Sequence, residues 1–336
     1  MKKEALLYEK LGSGLLHCFL CAHHCKIPQG KFGFCGVRQN LEGVLYTYAF
    51  GEVIAAHVDP IEKKPFYHFL PGSSSFSVAT VGCNFRCAFC QNWQISQRNI
   101  PDNGDSFGNR LSPEEIVGFA LKNSCRSISY TYTEPTIFFE YALETARFAK
   151  RMGLKNTFVT NGYMTKECLE MIAPFLDAAN VDLKFFNEAA YKKICAGSLQ
   201  PVLETIKLMH ALGIWIEVTT LVIPGQNDSL PELEGIAGFI SAVDERIPWH
   251  VSRFHPDYEF SDYPATPEAV LDTAQTLGRQ AGLKYVYAGN VYAWDDSTYC
   301  ASCGKSMIKR DGFSVIENKI SNGKCPYCKM SVPGVF

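Results

Sequence analysis

Between residues 75 and 289 the chain alternates short runs of β-branched, aromatic and aliphatic residues with longer stretches of helical hydrophobic spacing. SFSVATV (75–81), SISYTY (127–132), KNTFVT (155–160), ANVDLKFF (179–186), IWIEVTTLVI (214–223), WHVSRF (249–254) and KYVYAG (284–289) read as strands. The stretches between them read as helices, among them LSPEEIVGFALKN, FFEYALETARFAKRMG and LQPVLETIKLMHALG, with others near 230–245 and 267–281. The first of these has Ser112 as N-cap and Pro113 at the first helical position, which is a strong start signal. One helix-length crossover between successive strands implies parallel strands with right-handed connections. Six to seven such units predict an α/β fold built as a partial (β/α)6-type barrel.

In such a barrel, chemistry belongs at the C-terminal ends of the strands. The segments there are Cys83/Cys87/Cys90, then TEP, TNG, DLK, PGQND and HPDY. Any one of them is an ordinary polar loop. Six around one rim predict a site. Asp182 and Lys184 alternate across a strand end with Leu183 between them, so both can face inward. A buried ion pair is the plainer reading of that pair. For His255 it is a histidine packed near Tyr258.

Composition narrows the class. The chain has 336 residues, 47% hydrophobic and 20% charged, with 32 Lys+Arg against 34 Asp+Glu and a net charge of −2. Nucleic-acid and anionic-membrane binders draw affinity from clustered basic charge, so neither is expected here. Glu4 and Glu9 interrupt any signal-peptide core, and no run reaches the roughly 18 apolar residues of a membrane span. The expected location is the cytoplasm. In that reducing setting the 14 cysteines point to metal ligands or catalytic thiols before disulfides. Four fall at 18–35, three at 83–90 and four at 300–328; the isolated Cys125, Cys168 and Cys195 read as core thiols.

CNFRCAFC (83–90) is the unusual group. Three thiols suit neither a closed zinc tetrahedron nor a set of disulfides, unless a zinc borrows a fourth ligand from elsewhere. They do suit a four-iron cluster with one iron left open, wrapped by a short loop and shielded by Phe85, Phe89 and Trp93. Cys-x3-Cys-x2-Cys after the first barrel strand resembles the radical S-adenosylmethionine (SAM) enzymes.

That resemblance implies a [4Fe-4S] cluster on Cys83, Cys87 and Cys90, with SAM chelating the open iron. Reduction of SAM then gives methionine and a 5′-deoxyadenosyl radical that abstracts hydrogen from a substrate. YTEP (132–135) falls where the family has a Gly-Gly-Glu stretch gripping the SAM amino group, with Tyr132 and Thr133 in place of the glycines and Glu134 matching. Asn161 of TNG, Asp182 and Lys184 of DLK, and His255 of RFHPDY resemble SAM-site positions of the pyruvate formate-lyase activase branch. Val159 stands where an acidic residue usually precedes TNG. Over nearly its whole length the chain resembles the radical SAM component of the AmmeMemoRadiSam system, through DPIEKKPFYHF (59–69), CNFRCAFCQNWQIS and CPYCKMSVPGVF. The resemblance implies a Memo-like partner and a flavodoxin or ferredoxin as electron donor. DPIEKKPFYHF either lines the barrel mouth or is a solvated charged loop.

Two further cysteine sets flank the barrel. Cys300-x2-Cys303 and Cys325-x2-Cys328 read as a zinc ribbon, structural because four thiolates close the shell; a rubredoxin-like iron is the rival. Cys18, Cys21, Cys25 and Cys35, with His17, His23 and His24 nearby, call for a metal as well, either structural zinc or an auxiliary iron–sulfur cluster. The expected division is an N-terminal Cys-rich extension (1–74), a radical SAM partial barrel (75–289) and a C-terminal zinc-ribbon-like module (290–336). The expected function is a radical SAM enzyme acting on an unidentified substrate. The alternatives are a glycyl-radical-enzyme activase, a radical SAM methylase or peptide modifier, and a non-catalytic iron–sulfur electron-transfer or scaffold protein.

Overall fold

All seven apolar runs hydrogen-bond side by side in the computed structural model of the chain, which describes residues 2–98, 108–291 and 294–336. An edge strand β1 (Ala55–Pro60) precedes them and pairs antiparallel with β2 (Ser74–Ala79). Then come β3 (Ser127–Tyr130), β4 (Lys155–Thr160), β5 (Ala178–Asp182), β6 (Trp215–Val222), β7 (Trp249–Arg253) and β8 (Val286–Gly289). From β2 to β8 every pairing is parallel and follows chain order. Helices α1 (Pro113–Lys122), α2 (Phe139–Arg151), α3 (Lys166–Ile172), α4 (Leu199–Ala211), α5 (Leu230–Val243) and α6 (Glu268–Gln280) fill the six crossovers. The sheet ends at β1 and β8, so the barrel is partial, as its strand count predicts.

Local chemistry explains where elements begin. Ser112 Oγ accepts the Glu115 amide at 3.2 Å while the Glu115 carboxylate accepts the Ser112 amide at 2.7 Å, closing a capping box ahead of Pro113. Helix α2 turns Phe139, Tyr141, Ala142, Leu143, Ala146 and Ala149 into the core and leaves Lys150 and Arg151 at its C-terminal end. Within the barrel, small hydroxyls stack across strands: Ser75 meets Ser129 at 2.6 Å, and Ser129 meets Thr157 at 2.7 Å.

The sequence 59–69 is neither a mouth nor a solvated loop. Pro60 pairs with Ser74, the first residue of β2, so the segment runs under the end of the barrel where the parallel strands begin. Asp59, Glu62, Lys64 and His68 are all buried. The Glu217 carboxylate on β6 accepts the amides of Tyr67 and His68 at 2.9 and 2.8 Å, and Pro65 O accepts Asn180 Nδ2 at 2.7 Å. Ile61, Phe66, Phe69 and Leu70 pack beneath the strands with Ala178. The segment is a plug.

The C-terminal strands Thr298–Tyr299, Ser306–Asp311 and Ser314–Asn318 form a small antiparallel sheet that locks onto this plug. Buried Arg310 donates to Tyr67 O at 2.8 Å and lies 3.6 Å from Glu62. The last residues pair with the plug through Val335 N to His68 O and Leu70 N to Val335 O. At the other end of the chain, strands Tyr8–Gly12, Leu15–Cys18 and Lys26–Ile27 make one small sheet. Lys3–Glu4, Val44–Thr47 and Arg38–Leu41 make another.

His68 makes the plug pH-sensitive. Its ring lies between Pro333 O and the Tyr287 hydroxyl, at 2.8 and 2.7 Å, and burial pushes the imidazole down to about 4. A histidine with a depressed folded value stabilises fully above about 6.5; the contribution is lost as pH falls towards 4, where the unfolded chain binds the extra proton. Unfolding free energy is expected to drop by about 3 kcal/mol from this residue between pH 7 and 4. Denaturant titrations should show His68→Gln flattening the profile by that amount. An unaltered profile would mean that His68 takes up no extra proton on unfolding.

Candidate active site

The three-cysteine loop leaves the C-terminal end of β2. Gly82 opens it with φ near +93°, and a Cβ there would sit 2.8 Å from both Cys35 O and Val37 Cγ1, so only glycine fits. Arg86 then braces the loop from within, donating to Cys83 O at 2.7 Å and Phe85 O at 2.9 Å. Phe85 and Phe89 are buried and anchor it, Phe85 against Tyr163 and Phe89 against Phe185 and Phe260. Trp93 stacks on Tyr258, and Ala88 O accepts the Glu259 amide at 3.1 Å, so the loop after β7 covers one flank.

Cys87 is 7% exposed, and Cys83 and Cys90 are half-buried. Cys90 Sγ lies 3.1 Å from Ser96 Oγ. A hydrogen bond with Cys195 and then burial push the Cys87 thiol well above its ordinary range, and burial raises Cys83 and Cys90. Three thiols kept neutral by burial on one short loop form a donor set that ionises when a metal takes the charge. These residues fit a thiolate-ligated iron–sulfur cluster.

The rim residues fall into two groups around this loop. Asn161, at the end of β4, donates through Nδ2 to Asn84 Oδ1 at 2.8 Å and reaches Cys83 Sγ at 3.9 Å. Its amide donates to Glu134 Oε2 at 2.8 Å, and Glu134 Oε1 accepts Thr136 and Thr160 hydroxyls at 2.6 and 2.7 Å. Burial raises the Glu134 carboxyl even against those bonds. Glu134 thus ties the ends of β3 and β4 together. On the other side Lys184 Nζ meets Asp182 Oδ2 at 2.8 Å, the ion pair its spacing allowed. Lys184 is only 14% exposed, and its charge draws the Cys87 and Cys90 thiols downward.

The other expected residues are spread around the rim. Tyr132 takes φ near +63°, a glycine-like conformation at a position where glycine would be usual, and turns its hydroxyl to Asp59 Oδ2 at 2.5 Å under the Lys64 ammonium. Thr133 is buried and donates to Thr80 O at 2.8 Å. His255 is exposed on the loop after β7.

Several contacts were not foreseeable. Cys195 is buried beside Cys87, and the carbonyls of Cys195 and Ile194 accept the amides of Arg86 and Ala88 at 2.8 and 3.0 Å. A lone cysteine over a hundred positions away carries no local signal of that. Cys125 and Cys168 are core thiols, as read. The N-terminal region is also stitched to the loop: Arg86 Nη2 donates to Phe34 O at 2.5 Å, and His23 Nε2 lies 2.6 Å from Asn84 O. The four C-terminal thiols gather beyond the plug, with Cys300–Cys328 and Cys303–Cys325 at 3.6 and 3.8 Å.

A sequence model of the radical SAM superfamily matches residues 77–234. The chain is 44% identical over 330 residues to the uncharacterized protein MJ0808 of Methanocaldococcus jannaschii, covering 97% of each. It is 21% identical over 202 residues to the pyruvate formate-lyase-activating enzyme of Clostridium pasteurianum, covering 55% of this chain and 81% of that one. Among solved structures, a radical SAM methyltransferase from Sphaerobacter thermophilus shares the fold with a TM-score of 0.51 at 17% identity, over 71% of each chain. No helix among the described residues is long and apolar enough to cross a membrane.

Proposed function

Because the chain belongs to the radical SAM superfamily, we propose that it cleaves SAM at the Cys83/Cys87/Cys90 loop and abstracts hydrogen from a substrate delivered to the barrel rim. One observation carries the reading: three thiols on one short loop at the end of β2, Cys87 buried and Cys83 and Cys90 half-buried, flanked by the Glu134–Asn161 network and the Asp182–Lys184 pair. When bound, a reduced [4Fe-4S] cluster would supply one electron to the sulfonium of SAM, whose cleavage would give methionine and the 5′-deoxyadenosyl radical.

The chain's own residues supply placement. Cys83, Cys87 and Cys90 hold the cluster on a loop fixed by Phe85 and Phe89. Lys184 offsets thiolate charge, which favours binding of the cluster. Asn161, steadied by Glu134, presents polar edges toward Cys83, where the SAM amino acid portion would lie. Thr133 and His255 line the same rim, and Tyr132 links it to the plug. The plug and the C-terminal sheet close the opposite end of the barrel, which keeps dioxygen and stray hydrogen donors away from a carbon radical.

The relative named as an activating enzyme favours a second, finer reading, in which the hydrogen comes from a glycine of a partner polypeptide. A Memo-like partner and a small-molecule or peptide substrate fit the same rim. One experiment sorts them. The reconstituted enzyme, SAM and dithionite are mixed with each candidate partner, frozen, and examined by electron paramagnetic resonance alongside product chromatography. An activase leaves a stable glycyl-radical doublet on the partner, whereas a methylase yields S-adenosylhomocysteine as well as 5′-deoxyadenosine. Hydrogen transfer to another substrate gives 5′-deoxyadenosine without either. A well-loaded enzyme giving none of these with any partner would sink the proposal.

A further inference from the structure

The two outer cysteine sets differ in size. At the C-terminus the thiol pairs at 3.6 and 3.8 Å fit the edge of a tetrahedron with metal–sulfur bonds of about 2.3 Å, which is about 3.8 Å. Among the described residues these four are the group of metal-ligating side chains whose donor atoms all lie within 4.8 Å of one another. Cys18, Cys21, Cys25 and Cys35 also converge. Cys18 N donates to Cys25 O at 2.9 Å, and Cys21 feels the charges of the other three. Cys18, Cys21 and Cys35 are buried. Yet their sulfurs do not all lie within 4.8 Å of one another, and neither do those of Cys83, Cys87 and Cys90. A four-iron cube places an iron beneath each thiolate, so its ligands lie farther apart than those of one metal ion. The N-terminal set has the wider spacing.

Its surroundings suit a redox centre. Arg38, 1% exposed, sits 3.5 Å from Cys18 Sγ through Nη1 and pairs with Glu140 on α2. Arg38 Nε has no hydrogen-bond partner among the described residues. A buried guanidinium beside thiolates offsets cluster charge, and N–H donors to sulfur adjust its potential. The site also abuts the catalytic loop. Cys35 O packs against Gly82, next to Cys83; Phe34 O takes the Arg86 side chain, next to Cys87; and His23 reaches Asn84 O. One or two residues therefore separate ligands of the two sets.

We propose that Cys18, Cys21, Cys25 and Cys35 hold a second iron–sulfur cluster that relays single electrons to the cluster on Cys83, Cys87 and Cys90. The relay, though not the cluster itself, rests on the radical SAM reading. In each turnover a low-potential carrier protein of the ferredoxin or flavodoxin class gives up one electron, and the N-terminal cluster is reduced by one. The same electron then passes to the loop cluster and returns the N-terminal cluster to its oxidised state. No atom or proton moves in this step.

The test uses the full chain, reconstituted anaerobically with iron and sulfide, as wild type, as Cys83→Ala/Cys87→Ala/Cys90→Ala and as Cys18→Ala/Cys21→Ala. Metal analysis is expected to give about eight irons per wild-type chain and about four in each variant, with about one zinc throughout. After dithionite, the loop variant should keep a cluster signal that SAM does not alter. The N-terminal variant should keep one that SAM shifts. The wild-type spectrum should differ from the sum of the two through magnetic coupling; a plain sum overturns the relay. An iron-free loop variant, with a second zinc or without, overturns the cluster. That variant keeps all four N-terminal cysteines, so its iron content decides even where Cys18→Ala/Cys21→Ala fails to fold. A full iron count with no signal responding to SAM would instead sink the radical SAM reading and leave the second cluster standing.

Discussion

Replacing Cys83, Cys87 and Cys90 together by alanine is expected to reduce SAM cleavage at least ~10³-fold, to the background of dithionite alone. The expectation follows from how the loop divides its work. Its shape is held by groups other than the thiols: Gly82 against Cys35 O, Arg86 on two loop carbonyls, and Phe85 and Phe89 in the core. Three Cys→Ala changes remove small side chains, two of them half-buried, so the fold survives with a modest loss. What disappears is every thiolate the loop offers to iron. Lys184 then lacks the anions it faces, and the Asn161–Asn84 bond remains with no Cys83 sulfur beside it. Accumulation of 5′-deoxyadenosine, followed by chromatography in anaerobic samples of matched circular dichroism, is the measurement. Retention of a tenth of the wild-type rate would show that these cysteines are not the ligands that matter.

The barrel was legible because its signals are local and repeated. Each strand run is short and apolar, each crossover is one helix long, and Ser112 with Pro113 marks a helix start in two adjacent residues. The cysteine loop was legible for the same reason, since all of its ligands lie within eight positions. Edge strand β1 was not, because AAHVDP carries a proline and charge and reads as a loop until β2 lies beside it. Residues 59–69 read either as part of the barrel mouth or as a solvated loop, because nothing in their own charged sequence signals burial. Their partners, Glu217, Arg310 and Asn180, lie over a hundred positions away. Distant pairing likewise hid Cys195. The separate sizes of the two outer cysteine sets exist only in three dimensions; both read simply as four cysteines.

Glu217→Ala is expected to lose about 5 kcal/mol of stability, a large share of what a protein of this kind possesses. Glu217 is completely buried on β6, and its two oxygens accept four donors: the amides of Tyr67 and His68, His250 Nε2 at 2.7 Å and Trp215 Nε1 at 3.1 Å. Burial alone would raise this carboxyl, but the His250 bond and charge, the nearby His68 ring and the Tyr67 amide hold it below its ordinary value, so it is ionised at neutral pH. Alanine leaves those donors in a dry interior, at about 1–3 kcal/mol for each that finds no water. It also leaves His250 and His68 without the carboxylate between them. Glu217→Gln keeps the volume and one acceptor oxygen, and should lose roughly half as much. Because a depressed carboxyl stabilises above its unfolded value and fails as pH falls through the folded one, the wild-type advantage over Glu217→Gln should vanish in acid. Denaturant titration at neutral and acid pH measures both. Loosening should also appear as protease cleavage within residues 61–70, because the amides that anchor this plug bond to Glu217. A loss below 1 kcal/mol would place the plug's stability in Phe66, Phe69 and the C-terminal strand instead, and would make the carboxylate a passenger in the barrel floor.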